Sequence, residues 1–341
     1  MNEHPTIAAV IANYNYGRYL GRAIESVLEQ DDAFSQVVVV DDGSTDDSLE
    51  VARAFEGRVE VIANHNSGQL AACLAGVAAV DSDYVYLMDA DDAAHPELVS
   101  AVREELPGRP VMVQFQLRAV DGAGLPTGSV FPTYPEGYDT ASMRHDTEVM
   151  GTHQFAPTSG NVFRRDLLAG LDTAGLDLRD APDGPVAFAM PYLGSIAVID
   201  RPLASYRVHG SNRSQWFAPT PDLLRHELDW FRDRWRQTCL LLGRAEPPFA
   251  GTSPVYELEL ELLVAALEGR WWVGGRAWRY ARGLRRSRTP RASVLALQVW
   301  AMALVVPSTR LRRRLVMQRR APAERPRLVR ALVSLVRRSR R

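Results

Sequence analysis

The chain has 341 residues, 46% hydrophobic and 24% charged, an ordinary globular composition that excludes a collagen-like, disulfide-scaffold or wholly disordered protein. Its formal charge of −1 hides two opposed halves: residues 1–220 carry 14 Arg against 31 Asp and Glu, and residues 221–341 carry 26 Arg against 10. There is no lysine, and the two cysteines, Cys73 and Cys239, have no metal-ligand spacing, read as small core residues and fit a reducing compartment.

In chain order, a continuous apolar run over residues 6–12 predicts a strand buried on both faces, with no basic segment before it to suggest a secretion signal. Helical spacing over 19–29 follows, then a strand at 36–40 and a helix over 44–55 opened by a Ser-Thr-Asp-Asp cluster. A short strand at 59–62, an alanine-rich helix at 69–80 and a buried strand at 84–88 complete the series. This alternation predicts an α/β fold with a mainly parallel sheet flanked by helices. Beyond residue 107 Pro, Gly and Thr become frequent, predicting a mixed half with strands at 161–163 and 196–199. A helix is expected from Pro221 to about Leu242, a linker at 243–254, and helices at 256–269, 292–306 and 327–338. The expected division is a catalytic domain over 1–220 and an arginine-rich helical extension over 221–341. No run reaches the roughly 18 apolar residues that cross a bilayer.

In an open parallel sheet, ligands gather at the carboxyl ends of the strands. The first strand is followed by Asn13-Tyr14-Asn15-Tyr16-Gly17, the second by Asp41-Asp42-Gly43-Ser44, the third by Asn64, Asn66, Ser67 and Gly68, and the fourth by Asp89-Ala90-Asp91-Asp92. One such loop is an ordinary turn; four on one edge predict a site. Three carboxylates within four residues repel one another unless a cation sits among them, and Mg²⁺ or Mn²⁺ takes carboxylate and phosphate oxygens together. The alternative is a solvated acidic turn before the helix that starts near His95 and Pro96. No GxGxxG or GxxxxGK[ST] loop follows any strand, which argues against a nicotinamide enzyme or a P-loop NTPase and leaves a diphosphate to be held by a metal.

In this order and spacing, VIANYNYGRYLGRAIESVLEQ, VVVVDDGSTDDS, NHNSGQLAACLAG and YVYLMDADD resemble the family-2 glycosyltransferases over roughly residues 5–215. The resemblance implies a GT-A fold and a nucleotide-diphosphate sugar donor, UDP being the family's commonest carrier. By position, Ala12, Asn13, Tyr14 and Asn15 match the loop that packs on the base, and Asp41 and Asp42 the acidic pair at base or ribose. Asp89 and Asp91 match the DXD motif, with Asp91 at the metal and Asp89 or Asp92 at ribose or metal. The chain departs from the commonest pattern where that pattern places Arg and Asn, having Cys73 and Leu74 instead, so Gln69 is expected to take a sugar or phosphate contact. Ser159, Gly160 and Asn161 resemble the acceptor-side loop. Asp183 matches the general base, with Asp180 as second choice and a helix N-cap as the structural alternative. The segment 206–212, YRVHGSN, resembles the family's YRxHGxN ending. It implies His209 at metal or diphosphate, and Arg207 and Arg213 at phosphate or, for Arg207, in a structural ion pair.

These groups imply a metal-neutralised diphosphate leaving group and one carboxylate that deprotonates the acceptor hydroxyl, hence inversion. A sugar-nucleotidyltransferase would want a glycine-rich basic loop in place of NYNYG, and a non-catalytic nucleotide-sugar binder is the third reading. From Arg270 onward there are 21 Arg and one acid, Glu324. Trp271, Trp272, Trp278, Tyr280 and Trp300 lie among these arginines, and residues 327–338 form a basic amphipathic pattern suited to an anionic membrane surface. Packing on the core and oligomerisation are the competing expectations; nucleic acid is not expected. A glycan or lipid-linked acceptor, cell-surface polysaccharide or glycoconjugate synthesis, and a cytoplasmic location peripheral to the inner face of the membrane complete the expectation.

Overall fold

The computed structural model describes residues 4–209, 219–249, 251–269 and 273–320. The helix expected at 327–338, the tail tryptophans Trp271 and Trp272, Arg213, and the Gly-Ser-Asn end of the YRVHGSN segment lie outside the described residues. Two compact units are present: the first comprises Met1–Arg144, His153–Gly210 and Arg234–Pro247, the second His145–Thr152, Ser211–Asp233 and Pro248–Arg341.

The first unit follows the expected alternation through β1 (Ile7–Asn13), α1 (Gly17–Leu28), β2 (Val37–Asp41), α2 (Ser48–Arg53), β3 (Glu60–Ala63), α3 (Gln69–Ala79) and β4 (Tyr84–Asp89). All seven residues of β1 and all five of β2 are buried, which is why these strands read as unbroken β-branched and alanine runs. Next come β5 (Ala93–Ala94), α4 (Leu98–Glu105), β6 (Met112–Val120), β7 (Pro126–Phe131), α5 (Thr140–Met150), β8 (Asn161–Arg164), α6 (Arg165–Ala169), α7 (Pro185–Leu193) and β9 (Ile196–Arg207).

The strands form one sheet in the order β3-β2-β1-β4-β8-β6-β9-β5, with β7 paired to β6. The pairs among β1 to β4 are parallel, as expected, and so is β6 with β9; the pairs β4–β8, β6–β8, β6–β7 and β5–β9 are antiparallel, so the second half of the sheet is mixed. One face packs Ile7, Ala9 and Ile11 against Leu20, Ile24 and Val27 of α1. The other packs Ala8 and Val10 against Leu70, Cys73 and Val77 of α3. Both cysteines are free and buried.

Register does the positioning. Asn13 stands beside Asp41, and Ala12 beside Asp89, so the carboxyl ends of β1, β2 and β4 are level. The order reverses at β1, whose neighbours are β2 and β4, the usual place for a crevice in such sheets. Antiparallel β8 begins opposite Leu87, which sets the Ser159–Gly160 turn at the end of β4. Ala93 pairs with Ser205, which carries the end of β9 back to the acidic cluster.

The second unit is helical, built from the start of α8 (Pro221–Leu241) with α9 (Val255–Leu267), α10 (Val273–Leu284), α11 (Arg291–Ala303) and α12 (Thr309–Arg320). Its core gathers Leu258, Leu262, Leu263, Tyr280, Ala301 and Val316. Tyr280 is fully buried edge-to-face on Trp300, whose indole N–H donates to the Leu315 carbonyl at 3.1 Å. Tyr280 is a core residue and Trp300 packs against that core partly buried; Trp278 is exposed. The Glu259 carboxylate accepts from Arg319 Nε at 2.8 Å, from Arg319 Nη2 at 2.9 Å and from Tyr280 Oη at 2.9 Å. Arg320 pairs with Glu227. Among the described residues no helix is long and apolar enough to cross a membrane.

Candidate active site

At the head of β1, Asn13 is 2% exposed and donates through Nδ2 to Asp41 Oδ1 at 2.7 Å and Ser44 Oγ at 3.1 Å. Asp41 in turn accepts from the Ser44 amide at 3.0 Å and the Ser44 hydroxyl at 2.5 Å. Asn15 sits in the left-handed region at φ 59°, which asparagine tolerates better than most residues; its Oδ1 accepts from the Thr45 amide at 2.7 Å. Asp41, Asn13 and Asn15 therefore brace the loops around Ser44, a residue whose joining role the sequence alone did not single out. Ala12 is buried in the sheet, and Tyr14 is 43% exposed, the open aromatic of the group. Asp42 accepts from the Ser67 amide at 2.9 Å and the Gly68 amide at 2.8 Å, tying the third loop to the second.

Gly68 explains how a distant segment joins the site. Its φ is +105°, and a Cβ there would lie 2.3 Å from Arg179 Cα. The chain over 178–183 thus lies against the start of α3, where the Leu70 amide donates to the carbonyls of Leu178 and Asp180, each at 3.0 Å, and the Ala71 amide to Leu178 at 3.2 Å. These carbonyls satisfy helix-start donors that would otherwise face solvent or a ligand. Asp180 Oδ1 accepts from the Ala181 amide at 3.2 Å. Asp183 is half-buried and stands just before Gly184, which takes the N-cap position of α7 without any side-chain cap bond.

The acidic cluster is tight. One carboxylate oxygen from each of Asp89, Asp91 and Asp92 can be chosen so that all lie within 4.8 Å of one another. Gln69 Nε2 donates to Asp89 Oδ1 at 2.6 Å, so Gln69 meets the cluster itself. The Asp89 amide donates to Ser159 Oγ at 3.0 Å. Asp92 is 2% exposed; one oxygen accepts from the Arg207 amide at 2.9 Å and the other, Oδ2, is buried without a hydrogen-bond partner. Burial, then the charges of Asp92, Asp91 and Asp183, push the Asp89 carboxyl well above the usual carboxylate range. Burial and then Asp91 do the same to Asp92. Burial, and then the charges of Asp89, Asp183 and Asp42, push the Cys73 thiol up. Three hard oxygen donors, an orphaned buried oxygen and mutual repulsion fit a divalent cation.

His209 Nε2 donates to Asp91 Oδ2 at 2.8 Å, and its ring lies 5.6 Å from Tyr16 and 5.3 Å from Tyr19. The sequence places Tyr16 in the loop after the first strand but carries no sign of Tyr19, which presents itself only as an α1 residue. Arg207 donates through Nε to the Asp91 carbonyl at 2.8 Å and through Nη1 to the Gly122 carbonyl at 3.3 Å, with Tyr19 under its guanidinium at 4.8 Å. These bonds brace the loop over 89–92. Asn161 Nδ2 donates to the carbonyls of Ala156 at 3.0 Å and Pro157 at 2.8 Å, holding the turn that carries Ser159 and Gly160.

Residues 8–171 match the model of "Glycosyl transferase family 2". This segment belongs to that family. The family region carries Asn13, Asp41, Asp42, Gln69 and the Asp89–Asp92 cluster, while Asp183, Arg207 and His209 reach the site from beyond it. An uncharacterized glycosyltransferase of Nostoc sp. is 34% identical over 213 residues, which is 60% of this chain and 66% of that protein. Glycosyltransferase GlyG of Streptococcus pneumoniae is 32% identical over 104 residues, 29% of this chain and 35% of that one. The chain thus spans less than two thirds of these relatives. Among solved structures, a fragment of S. aureus TarS, crystallised with UDP-GlcNAc, is similar with a TM-score of 0.50 at 13% identity, over 92% of this chain and 91% of that one. The fold is GT-A type.

Proposed function

We propose that the protein transfers a sugar from a nucleotide-diphosphate donor to an acceptor hydroxyl, with Mn²⁺ or Mg²⁺ held by Asp89, Asp91 and Asp92. The observation that carries this reading is the convergence of those carboxylates, with one buried oxygen unpartnered, at the strand ends of a family-2 unit. When bound, the cation neutralises charge on the departing diphosphate. Tyr14 is the exposed ring available to the base. Gln69 orients Asp89, and His209 orients Asp91, as outer partners of metal ligands do.

Asp183 is the base. Its charge is felt by Asp89, and it stands on a segment pinned to α3. It takes the proton of the acceptor hydroxyl as that oxygen attacks the anomeric carbon, and the bond to the diphosphate oxygen breaks with its electron pair on the leaving group. A single carboxylate on the acceptor side gives inversion. Asp180, whose Oδ1 accepts from the neighbouring Ala181 amide, is the second choice. The carrier is UDP, as in the TarS complex, and the acceptor is a glycan or lipid-linked molecule handled at the cytoplasmic face of the membrane during cell-surface polysaccharide synthesis.

A thermal-shift titration against a panel of nucleotide sugars, with and without Mn²⁺ or Mg²⁺, tests the reading. A UDP-sugar is expected to raise the melting temperature only with the cation present, and release of UDP with a candidate acceptor reports turnover. A chain stabilised by no nucleotide sugar under any cation is not this enzyme.

A further inference from the structure

Two sets of arginines in the second unit differ in their partners. Arg225, Arg232, Arg279, Arg319 and Arg320 face the carboxylates of Glu268, Glu257, Glu261, Glu259 and Glu227. Arg285, Arg291, Arg310, Arg313 and Arg314 are exposed, and none makes an ion pair with any described residue. From Gly269 to Arg320 the sequence holds no acid to pair with them.

Two of these arginines, Arg285 and Arg291, border an apolar surface. Helix α11 is apolar on two sides. Val294, Leu297, Ala301 and Leu304 pack into the helical core. Leu295, Val299 and Met302, at spacings that put them on one helix face, are 62%, 63% and 51% exposed. Val305 and Leu311 are also exposed. Beside the start of this face lies a groove of about 500 Å³, lined by Arg285, Ser287, Thr289, Arg291 and Leu295 among others.

The geometry points to an anionic lipid bilayer as the occupant of this face. Leu295, Val299 and Met302 enter the acyl boundary, while the guanidiniums of Arg285, Arg291, Arg310, Arg313 and Arg314 stay at the level of the lipid phosphates. The planar fork of arginine suits a phosphodiester, and the groove gives a headgroup phosphate two guanidiniums and the Thr289 hydroxyl. A second copy meeting this face by two-fold symmetry would set arginine against arginine, which disfavours a homodimer here. The inference concerns where the protein sits and does not depend on the proposed transfer reaction.

Flotation of the full chain with vesicles of phosphatidylcholine, alone or with phosphatidylglycerol, tests it. The chain is expected to float with the anionic vesicles, weakly with the neutral ones, and less as salt rises. The variant Leu295→Gln/Val299→Gln/Met302→Gln is expected to lose about tenfold or more in vesicle affinity. Arg310→Gln/Arg313→Gln/Arg314→Gln is expected to lose the preference for phosphatidylglycerol. Thermal melts check folding, and the single Val299→Gln variant carries the same test should the triple variant melt early. Absence of flotation, or equal flotation of wild type and the apolar variants, overturns the proposal. So does an apolar variant that splits a dimer in sedimentation with vesicle binding unchanged. Donor-induced thermal shifts, read separately, tell failure here from failure of the transferase reading.

Discussion

Gly68 and Arg179 approach so closely that a Cβ on the glycine would stand 2.3 Å from the arginine Cα. This contact joins the start of α3 to the segment that carries Asp183. Gly68→Ala must both leave its φ of +105° and push that backbone away. It is expected to cost roughly 2–4 kcal/mol in urea unfolding and to lower sugar transfer more than donor binding. A Gly68→Ala protein with wild-type transfer would show that the segment's position does not matter to the reaction.

Asp183→Asn is expected to reduce kcat by roughly 10²–10⁴-fold with donor affinity kept. Asp180→Asn should fall far less, since Oδ1 remains to accept the Ala181 amide. Equal turnover in wild type and both variants rules out the assignment of the base.

The cation-free protein should show a distinctive pH response. Asp92 holds its proton more tightly when folded than the ordinary 3.8 of an exposed Asp, because burial and then Asp91 disfavour its charge. Such a group binds more protons folded than unfolded, so stability declines as pH climbs from about 4 toward the folded value. Asp92→Asn removes that burden. In EDTA the variant is expected to unfold about 1–2 kcal/mol harder than wild type at neutral pH, with the gap closing near pH 4. With Mn²⁺ added, the order reverses. A variant weaker than wild type in EDTA at neutral pH would contradict the strain described.

His209 acts through Asp91, at 2.8 Å. His209→Ala is expected to weaken Mn²⁺ binding roughly 10–100-fold, read by titration of the donor-free protein. His209→Gln, which keeps a donor, should recover part of that loss.

In the helical unit, Arg319→Ala leaves Glu259, 8% exposed, with the Tyr280 hydroxyl as its one hydrogen-bond partner among the described residues. Because Arg319 is itself partly exposed, the expected loss is about 1–3 kcal/mol. Adding Glu259→Gln should cost less than the sum of the two single changes, checked by denaturant midpoints.

The first four strands were legible because a strand buried on both faces leaves an uninterrupted apolar run, and their loops were legible because carboxylates and amides cluster where runs stop. β6 was not: Gln114 and Gln116 lie buried in it and break the pattern. β9 is longer than the stretch at 196–199, since its pairing with β6 shifts register around Pro202. α10 hides behind the pair Gly274 and Gly275, and α12 behind six arginines, of which Arg312 is buried and donates to the Val306 carbonyl at 2.7 Å. Within the site, composition and order pointed to the acids. The partner of Asp91 lies 118 residues away, and the β5–β9 pairing helps bring it close.

The carbonyls of Leu178 and Asp180 that cover the start of α3 bear on when the proposed enzyme can work. An open helix start is a permanent partial positive charge, present whatever the solution contains. Here the polypeptide has already occupied that end with its own backbone, and Arg207 is bound to carbonyls. On the proposed reading, a divalent cation at Asp89, Asp91 and Asp92 supplies attraction for the diphosphate. If the proposed transfer holds, donor and cation are bound as a pair, and the free divalent cation sets how much donor the site can hold.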